Sequence, residues 1–201
     1  TQSDLKAAVY EQLNAEATGY GDKIASYINS AYQVPMAMKS IIESSINSSQ
    51  VSLSRSQVNL LIQAQLAANP NISSMYSQFE ADGFDGNDLA YQDSNEMYNA
   101  IATGSLEVYW VRDPKQQLVQ FRIENSQEKY AESLNEFGIR EAEWYLCARD
   151  TKKPCAMEPY MYEIEEGYQE LMTSLTAPIL INNQFRGVVG VDVNLPKFQG
   201  L

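Results

Sequence analysis

The stretch YQELMTSLTAPILINNQFRGVVGVDVNL, residues 168–195, decides the fold that we expect for this chain. Its two parts, Tyr168–Ile181 and Phe185–Leu195, are rich in Val, Ile, Tyr and Phe, which favour β-strands. Asn182-Asn183 separates the two parts and supplies the residues of a short hairpin turn. We therefore predict two long antiparallel strands joined by a hairpin.

Three further candidate strands lie upstream of this hairpin and have similar residue preferences. They are Ile72–Glu80, Leu106–Arg112 and Leu118–Ile123. The turn Asp113-Pro114-Lys115 joins the second strand to the third. Helical patches are predicted between strands, around Ser94–Ala102 and Gln127–Cys147. Hairpin-linked strands with helices between them indicate an α+β fold with an antiparallel sheet.

The part of the chain before these strands has a helical period. Apolar or aromatic residues recur at three- and four-residue spacing, as on one face of a long helix. Pro35 is expected to kink this helix just before its own position. The stripe packs on the chain's own globular part or forms the seam of a homodimer, and the two interpretations are compatible along different lengths. Its members are Tyr10, Leu13, Ala17, Tyr20, Ile24, Tyr27, Ala31, Val34, Met38 and Ile41.

A polar run from Asn47 to Ser56 separates this long helix from a second one. Ser54 and Gln57 have the spacing of a capping box and predict where the second helix begins. Asn69-Pro70-Asn71 predicts its end, because the residue before a proline disfavours helical conformation. We thus divide the chain into a helical segment, residues 1–68, and a strand-rich module, residues 69–201.

The composition excludes several classes of function. The net charge is −12, whereas nucleic acids and anionic lipid surfaces require clustered lysine and arginine, so neither is an expected partner. The chain has no histidine, which removes the commonest general base and the commonest metal ligand. No nucleophile motif compensates for this, so we expect neither an enzyme nor a bound metal or cofactor.

One acidic segment resembles a calcium loop only loosely. Asp82, Asp85, Asn87 and Asp88 supply oxygen ligands, but they lack the spacing and the closing glutamate of an EF-hand. We therefore interpret the FDGND segment (Phe84–Asp88) as a turn-forming and helix-capping element.

The chain carries no apolar window of 18 or more residues, so no membrane-spanning helix is expected within it. It opens TQSDLKAAV, without an initiator methionine or the basic and apolar regions of a signal peptide. We interpret it as an excised or processed soluble piece, and the sequence leaves open whether it comes from a larger protein.

Several stretches, in order, resemble the Cache (PDC) sensor module of bacterial chemoreceptors. NPNISSMYSQFEADGFDGNDLAY (Asn69–Tyr91) resembles its start, where a long helix leads through Asn-Pro into the first strand. Glu143-Trp144-Tyr145 and Glu158-Pro159-Tyr160 follow in the family's order, and Gly187–Leu195 resembles its last strand. The resemblance covers essentially the whole chain.

This resemblance implies a PAS-like antiparallel sheet in the periplasmic or extracellular portion of an inner-membrane receptor. The receptor's transmembrane and signalling parts would lie outside this chain. Because many such receptors carry two modules in tandem, we expect the membrane-distal module of a double-Cache receptor, with a single-Cache receptor as the alternative. FDGND and the EPY triplet favour a methyl-accepting chemotaxis protein, although histidine kinases and diguanylate cyclases also carry such modules.

The two cysteines, Cys147 and Cys155, are interpreted in the light of that location. An oxidising compartment allows them to form a disulfide, and the ARDTKKP loop between them suits a stapled turn. Closing a loop this short would contribute roughly 2–3 kcal/mol of stability. Free structural thiols are one alternative, and a redox or metal role is another, although the spacing is not Cys-x-x-Cys.

The resemblance also implies a ligand pocket. In Cache modules that bind amino acids, an Arg-x-Trp-Tyr stretch meets the ligand carboxylate, while a Tyr-x-Asp and a later Asp meet its ammonium group. Trp144, Tyr145, Tyr160 and Asp192 stand at the matching positions of this sequence.

Two positions depart from the family pattern. Ala142 replaces the arginine and Tyr162 replaces the first aspartate, while Arg140, two residues before Ala142, is the candidate substitute. The remaining aromatic set with one carboxylate suits an organic cation through cation–π attraction. An amine is therefore the favoured ligand, followed by an amino acid held by Arg140. The alternatives are another small metabolite and no ligand at all.

The expected function is a sensor that binds a small molecule, shifts its N-terminal helix and passes the signal across the membrane in the parent protein. The alternative is an interaction module that senses through a periplasmic binding protein or through dimer contact alone. In that case the aromatic rings would simply be core.

Overall fold

The fold is built on an antiparallel sheet with helices on both faces. A computed structural model describes residues 1–4, 7, 21–166 and 168–195, without the side chains of residues 21–24, 161–165, 168 and 169. Its helices are α1 (Gly21–Asn47), α2 (Arg55–Ala68) and α3 (Glu143–Thr151), with 3-10 turns at Asp88–Tyr91 and Ser126–Tyr130. Its strands are β1 (Ile72–Phe79), β2 (Glu107–Arg112), β3 (Leu118–Gln120), β4 (Cys155–Ala156), β5 (Tyr160–Glu165), β6 (Tyr168–Ile181) and β7 (Gln184–Asn194).

The described strands lie in the order β3-β2-β1-β7-β6-β4, and β5 pairs with β6 along the same edge as β4. Their ladders are antiparallel. The predicted β6–β7 hairpin is confirmed, and Asn182 and Asn183 at its turn have φ of 51° and 62°. Positive φ at both residues is what a two-residue hairpin loop needs. The predicted α+β architecture is therefore confirmed.

Alternate residues of the central strand β7 divide the sheet into two faces. Val189, Val191 and Val193 pack with α1 and α2 in the main apolar core. Val188 packs with α3 in a second, smaller cluster. By the same alternation, Gly190 and Asp192 belong to the face that α3 covers, which we call the α3 face.

The predicted apolar stripe is confirmed in part along the helix α1. Ala31 and Met38 are buried in the main core, and Tyr27 and Val34 pack against it. Ile41 is 43% exposed, so the stripe leaves the core at that point. The other members, Tyr10, Leu13, Ala17, Tyr20 and the side chain of Ile24, lie outside the described residues.

The predicted start of α2 is confirmed by its capping box. The Ser54 hydroxyl accepts a hydrogen bond from the Gln57 amide (3.2 Å), and the Gln57 side chain accepts one from the Ser54 amide (2.8 Å). The helix ends before Asn69, as its Asn-Pro sequence predicts. Among the described residues, no helix is both long and apolar enough to cross a bilayer.

The helical patch predicted at residues 94–102 is wrong, since these residues form turns and a single β-bridge. The guanidinium of Arg122 accounts for this. It donates to the carbonyl of Asn99 (3.0 Å) and to that of Ser94, so these carbonyls bond a distant side chain instead of helical amides.

The patch predicted at Gln127–Cys147 is helical only at its two ends, since a 3-10 turn covers Ser126–Tyr130 and α3 begins at Glu143. Before that point lies an irregular loop in which the Asn135 side chain accepts from the amides of Phe137 (2.9 Å) and Ile139 (3.1 Å). Such local side-chain bonds compete with the bonds of a regular helix.

Arg55, the first residue of α2, joins this helix to the FDGND turn. Its guanidinium bonds both carboxylate oxygens of Asp85 (2.9 and 2.8 Å) and one of Asp88 (2.7 Å), and its side chain is 2% exposed. It also lies 4.0 Å from the centre of the Tyr91 ring. The FDGND turn therefore anchors a helix. No group of three potential ligands in the described chain could hold a metal ion.

We expect Arg55→Ala to lower the free energy of unfolding by about 3–5 kcal/mol, since it leaves two carboxylates without their buried partner. Arg140→Ala is the matched control. Arg140 also bonds two carboxylates, but its side chain is 26% exposed, so its loss should cost no more than about 1 kcal/mol. Urea unfolding measures both values, and equal losses would contradict the anchoring role of Arg55.

Candidate functional site

The candidate site is centred on Asp192, on the α3 face of β7. This strand pairs with β1 on one side and with β6 on the other, so Asp192 lies opposite Ser74 and Ser174 at once. Each serine hydroxyl donates to a different oxygen of the carboxylate, and both distances are 2.5 Å. The sheet register therefore holds the carboxylate between two hydroxyl groups.

The surroundings of Asp192 favour a bound positive charge. Burial raises the pKa of its carboxyl above the usual value of 3.8, while the two serine hydroxyls act in the opposite direction. No cationic side chain is among its hydrogen-bond partners in the described chain. The residue as a whole is only partly buried. A cation bound beside this carboxylate would offset the cost of its desolvation.

Tyr76 of β1 lies beside Asp192, and its ring lies over Gly190 of the neighbouring strand β7. A side chain at Gly190 would lie only 2.3–2.5 Å from the outer ring atoms of Tyr76, so glycine makes room for this ring. Burial raises the pKa of the Tyr76 phenol well above 10, and the nearby groups of Asp192, Tyr109 and Tyr160 raise it further. Tyr109, Tyr76 and Asp192 lie on one face of three adjacent strands, β2, β1 and β7, and form the Asp192 cluster.

The helix α3 brings Trp144 to this cluster. Its ring meets that of Tyr76 edge to face, with centroids 5.3 Å apart. Tyr109 of β2 stacks against the same tyrosine, with ring centroids 6.0 Å apart. Trp144 and Tyr109 are both partly buried, so their rings pack in the site and still present surface.

Tyr160 and Tyr162 enter from the sheet edge, on β5. Tyr160 pairs with Met172 of β6, is 43% exposed and lies close enough to Tyr76 to influence its pKa. The backbone of Tyr162 pairs with Glu170, but its side chain lies outside the described residues. Tyr160 therefore lies at the rim of the site, and the role of Tyr162 stays a prediction.

Two other predicted ligand residues have different partners. Tyr145 is fully buried, and its hydroxyl donates to the carboxylate of Glu80 at 2.6 Å. Arg140 donates to Glu143 at 2.6 and 3.1 Å and to Asp150 at 2.8 Å. Tyr145 is thus a core residue of the second cluster, and the Arg140 guanidinium is already bound by two carboxylates.

The disulfide between Cys147 and Cys155 is confirmed, with their Cα atoms 6.3 Å apart. It joins α3 to β4, and both cysteines are buried. The alternatives of free thiols or a metal-binding pair are therefore set aside.

Four residues of the site are absent from the sequence-based prediction: Ser74, Tyr76, Tyr109 and Ser174. Ser74 and Tyr76 lie on β1 and Ser174 on β6, the two strands that pair with β7, whereas Tyr109 lies on β2, which pairs with β1. Strand alternation assigns each of them to a face, but only the strand order and register make them neighbours. The correct order and register of all four strands would have been needed to identify them.

Two surface grooves, each of about 460 Å³, lie along α1 and not at Asp192. One is formed by serines together with Ile41, Val51 and Leu53, and the other by small and polar residues of α1. Neither lining contains a charged side chain, so neither groove offers the chemistry of the Asp192 cluster.

Comparison with known proteins gives a family match. The family described as "Methyl-accepting chemotaxis protein-like, first PDC sensor domain" matches residues 58–200. The methyl-accepting chemotaxis protein TlpQ of Pseudomonas aeruginosa is 30% identical over 147 residues, which are 73% of this chain and 20% of that protein. The chain thus spans about one fifth of that relative.

Two solved structures have a similar fold. The extracellular domain assigned to a histidine kinase, mmHK1S-Z3, superposes with a TM-score of 0.68 at 23% identity, over 92% of this chain and 59% of that one. Methyl-accepting chemotaxis protein X gives 0.66 at 21% identity, over 95% and 64% respectively. The same fold thus occurs in domains attributed to kinases and to chemoreceptors.

We expect Asp192→Asn to stabilise the unliganded protein at neutral pH. The folded-state pKa of Asp192 is raised, so the wild type loses stability as the pH rises from about 3.8 through that pKa, whereas the asparagine variant does not. The difference in Tm should therefore grow with pH from near zero in acid.

Asp150→Asn is the control with the opposite sign. The hydrogen bond from Arg140 lowers the pKa of Asp150, so its contribution is present above the ordinary value and is lost in acid. Thermal unfolding between pH 3 and pH 8 measures both variants. A lower Tm for Asp192→Asn at every pH would contradict the electrostatic description of the site.

Proposed function

We propose that this chain, which belongs to the family of methyl-accepting chemotaxis protein-like first PDC sensor domains, binds a small organic cation at Asp192. The observation that carries the proposal is the Asp192 carboxylate itself. It lies on the α3 face in a residue that is only partly buried, and it has only two serine hydroxyls as described hydrogen-bond partners. On the same face the Tyr76 ring contacts the rings of Tyr109 and Trp144.

The two kinds of group in the site would act on different parts of the ligand. The carboxylate would accept hydrogen bonds from the N–H groups of an ammonium, since each oxygen retains acceptor capacity beyond its serine bond. The faces of Trp144, Tyr109 and Tyr160 would attract the same charge through their quadrupoles, an effect that strengthens as water is excluded. A protonated amine satisfies both requirements.

An amino acid held by Arg140 is a weaker fit. The guanidinium is already bonded to Glu143 and Asp150, so a ligand carboxylate would have to displace one of them. A carboxylate close to Asp192 would also meet a like charge. We therefore leave Arg140 and the buried Tyr145 out of the proposed binding set, which consists of Ser74, Tyr76, Tyr109, Trp144, Tyr160, Ser174 and Asp192.

In the parent protein this domain would lie in the periplasm and be anchored to the membrane through segments outside this chain. The buried disulfide suits an oxidising compartment. Ligand binding would draw α3 towards the sheet and bias the position of α1, which requires only different affinities for two conformations. A homodimer through the outer face of α1 would transmit that bias in the receptor.

A thermal-shift panel of amines, amino acids and small carboxylates tests the ligand class. A ligand at 100 times its Kd should add about 2.7 kcal/mol, which corresponds to a rise in Tm of roughly 5–10 °C for a chain of this size. We expect the largest rises among amines. Rises confined to amino acids would mean that the Arg140 ion pairs open, and no rise would favour the interaction module.

The site itself is tested by calorimetric titration of two variants with the best amine of the panel. Asp192→Asn should weaken binding by at least about 30-fold, the effect of losing a desolvated charge pair of about 2 kcal/mol. Trp144→Ala should weaken it by roughly 3- to 30-fold. The controls Asp150→Asn and Trp110→Phe should bind as the wild type does. If both site variants also kept wild-type affinity, the site assignment would be wrong.

A further inference from the structure

We propose that Tyr32 and the Cys147–Cys155 disulfide are positioning residues that connect the ligand-facing Trp144 to the helix α1. The proposal deepens the proposed function, because it gives the route by which the site and the helix influence each other. It rests on three consecutive contacts in the described chain: a ring contact, a covalent bond and a pair of buried hydrogen bonds.

The first contact lies between α1 and the sheet edge. Tyr32 is 5% exposed, and its hydroxyl lies 2.9 Å from the carbonyl of Thr176 and 3.2 Å from that of Cys155. Cys155 and Thr176 are partners in the β4–β6 ladder. A single phenol of α1 thus contacts both strands at the point where they pair, in a buried environment.

The second contact is the disulfide, which begins at the residue whose carbonyl Tyr32 binds. It connects Cys155 of β4 to Cys147 of α3. The ladder between β4 and β6 covers only two residue pairs, so β4 alone is a short and weakly held strand. The covalent bond makes the position of β4 depend on that of α3, and the position of α3 depend on that of β4.

The third contact is within α3. Trp144 precedes Cys147 by three residues, which places both on the same side of the helix within one turn. Trp144 in turn meets the edge of Tyr76 in the site. A movement of the Trp144 ring towards a ligand therefore shifts Cys147, Cys155 and the hydrogen bonds of Tyr32 in sequence.

A second tyrosine of α1 provides an internal comparison. The hydroxyl of Tyr27 lies 2.9 Å from the carbonyl of Asn194 and 3.2 Å from that of Asn71, at the ends of the central strands. It is the same type of contact from the same helix, but the strands it touches carry no disulfide to α3. Substitutions of Tyr32 and Tyr27 should therefore differ in one respect: only the effect of the Tyr32 substitution on Trp144 should depend on the disulfide.

The connection must be reciprocal, so a change at Tyr32 should be detectable at Trp144 without any ligand. The chain has two tryptophans, and Trp110→Phe leaves Trp144 as the only one. In that background we expect Tyr32→Phe to shift the emission maximum to longer wavelength and to increase acrylamide quenching. The same substitution in a Cys147→Ser/Cys155→Ser background should leave both readings unchanged.

Tyr27→Phe is the matched control, and any change that it causes should be the same with and without the disulfide. An unchanged Trp144 signal for Tyr32→Phe in the disulfide-bonded protein would overturn the proposal. A change of equal size in both backgrounds would also overturn it, because the route would then bypass the disulfide.

Hydrogen exchange gives a second test that needs no cysteine substitution. In the disulfide-bonded chain, Tyr32→Phe should accelerate amide exchange in residues 143–151 by roughly fivefold, the effect of losing one ordinary hydrogen bond. Tyr27→Phe should leave this segment unchanged, and equal rates for the two variants would refute the connection. Because no ligand is present, these results are independent of whether an amine binds at Asp192.

Discussion

The pairing of β7 with both β1 and β6 is the constraint on which the rest of the molecule depends. An antiparallel register places one residue of each neighbouring strand directly opposite a residue of the central one. At Asp192 these residues are Ser74 and Ser174, which hold a carboxylate inside the module. The same pairing puts Val191 and Val193 into the core beneath α1 and α2. A slip by one residue would exchange the two sets.

Local signals in the sequence predicted the elements whose partners are near in the chain. The β6–β7 hairpin, the Ser54 and Gln57 capping box and the Asn-Pro helix end are examples. The helical patch at residues 94–102 failed where a distant group intervened, since the Arg122 side chain binds the carbonyls of Ser94 and Asn99. The short β4 is a further case, since a strand of two residues has no period of its own and forms through its pairing with β6.

The candidate site was only partly predictable, because contacts between distant parts of the chain bring some of its residues together. Asp192 and Trp144 belong to stretches that resemble a known family, whereas Ser74 and Tyr109 become site residues through strand pairing alone. The family position of Tyr145 did not indicate that its hydroxyl donates to Glu80, the residue that follows β1. The sequence indicated Arg140 as a candidate, but it did not indicate that the Arg140 guanidinium binds two carboxylates. Hydrogen-bond partners, whether near in the chain as for Arg140 or distant as for Tyr145, decide whether such a residue is available to a ligand.

The division of β7 by alternation has a consequence for how such receptors diversify. Val189, Val191 and Val193 contribute to the main core, whereas Gly190 and Asp192 lie at the candidate site, so selection for stability and selection for ligand preference would act on different codons of one short segment. Under the proposed function, a substitution of Asp192 would alter the chemical preference of the domain while the packing beneath α1 stays as it is. A lineage could in this way acquire a new ligand preference through a few replacements and without rebuilding its scaffold.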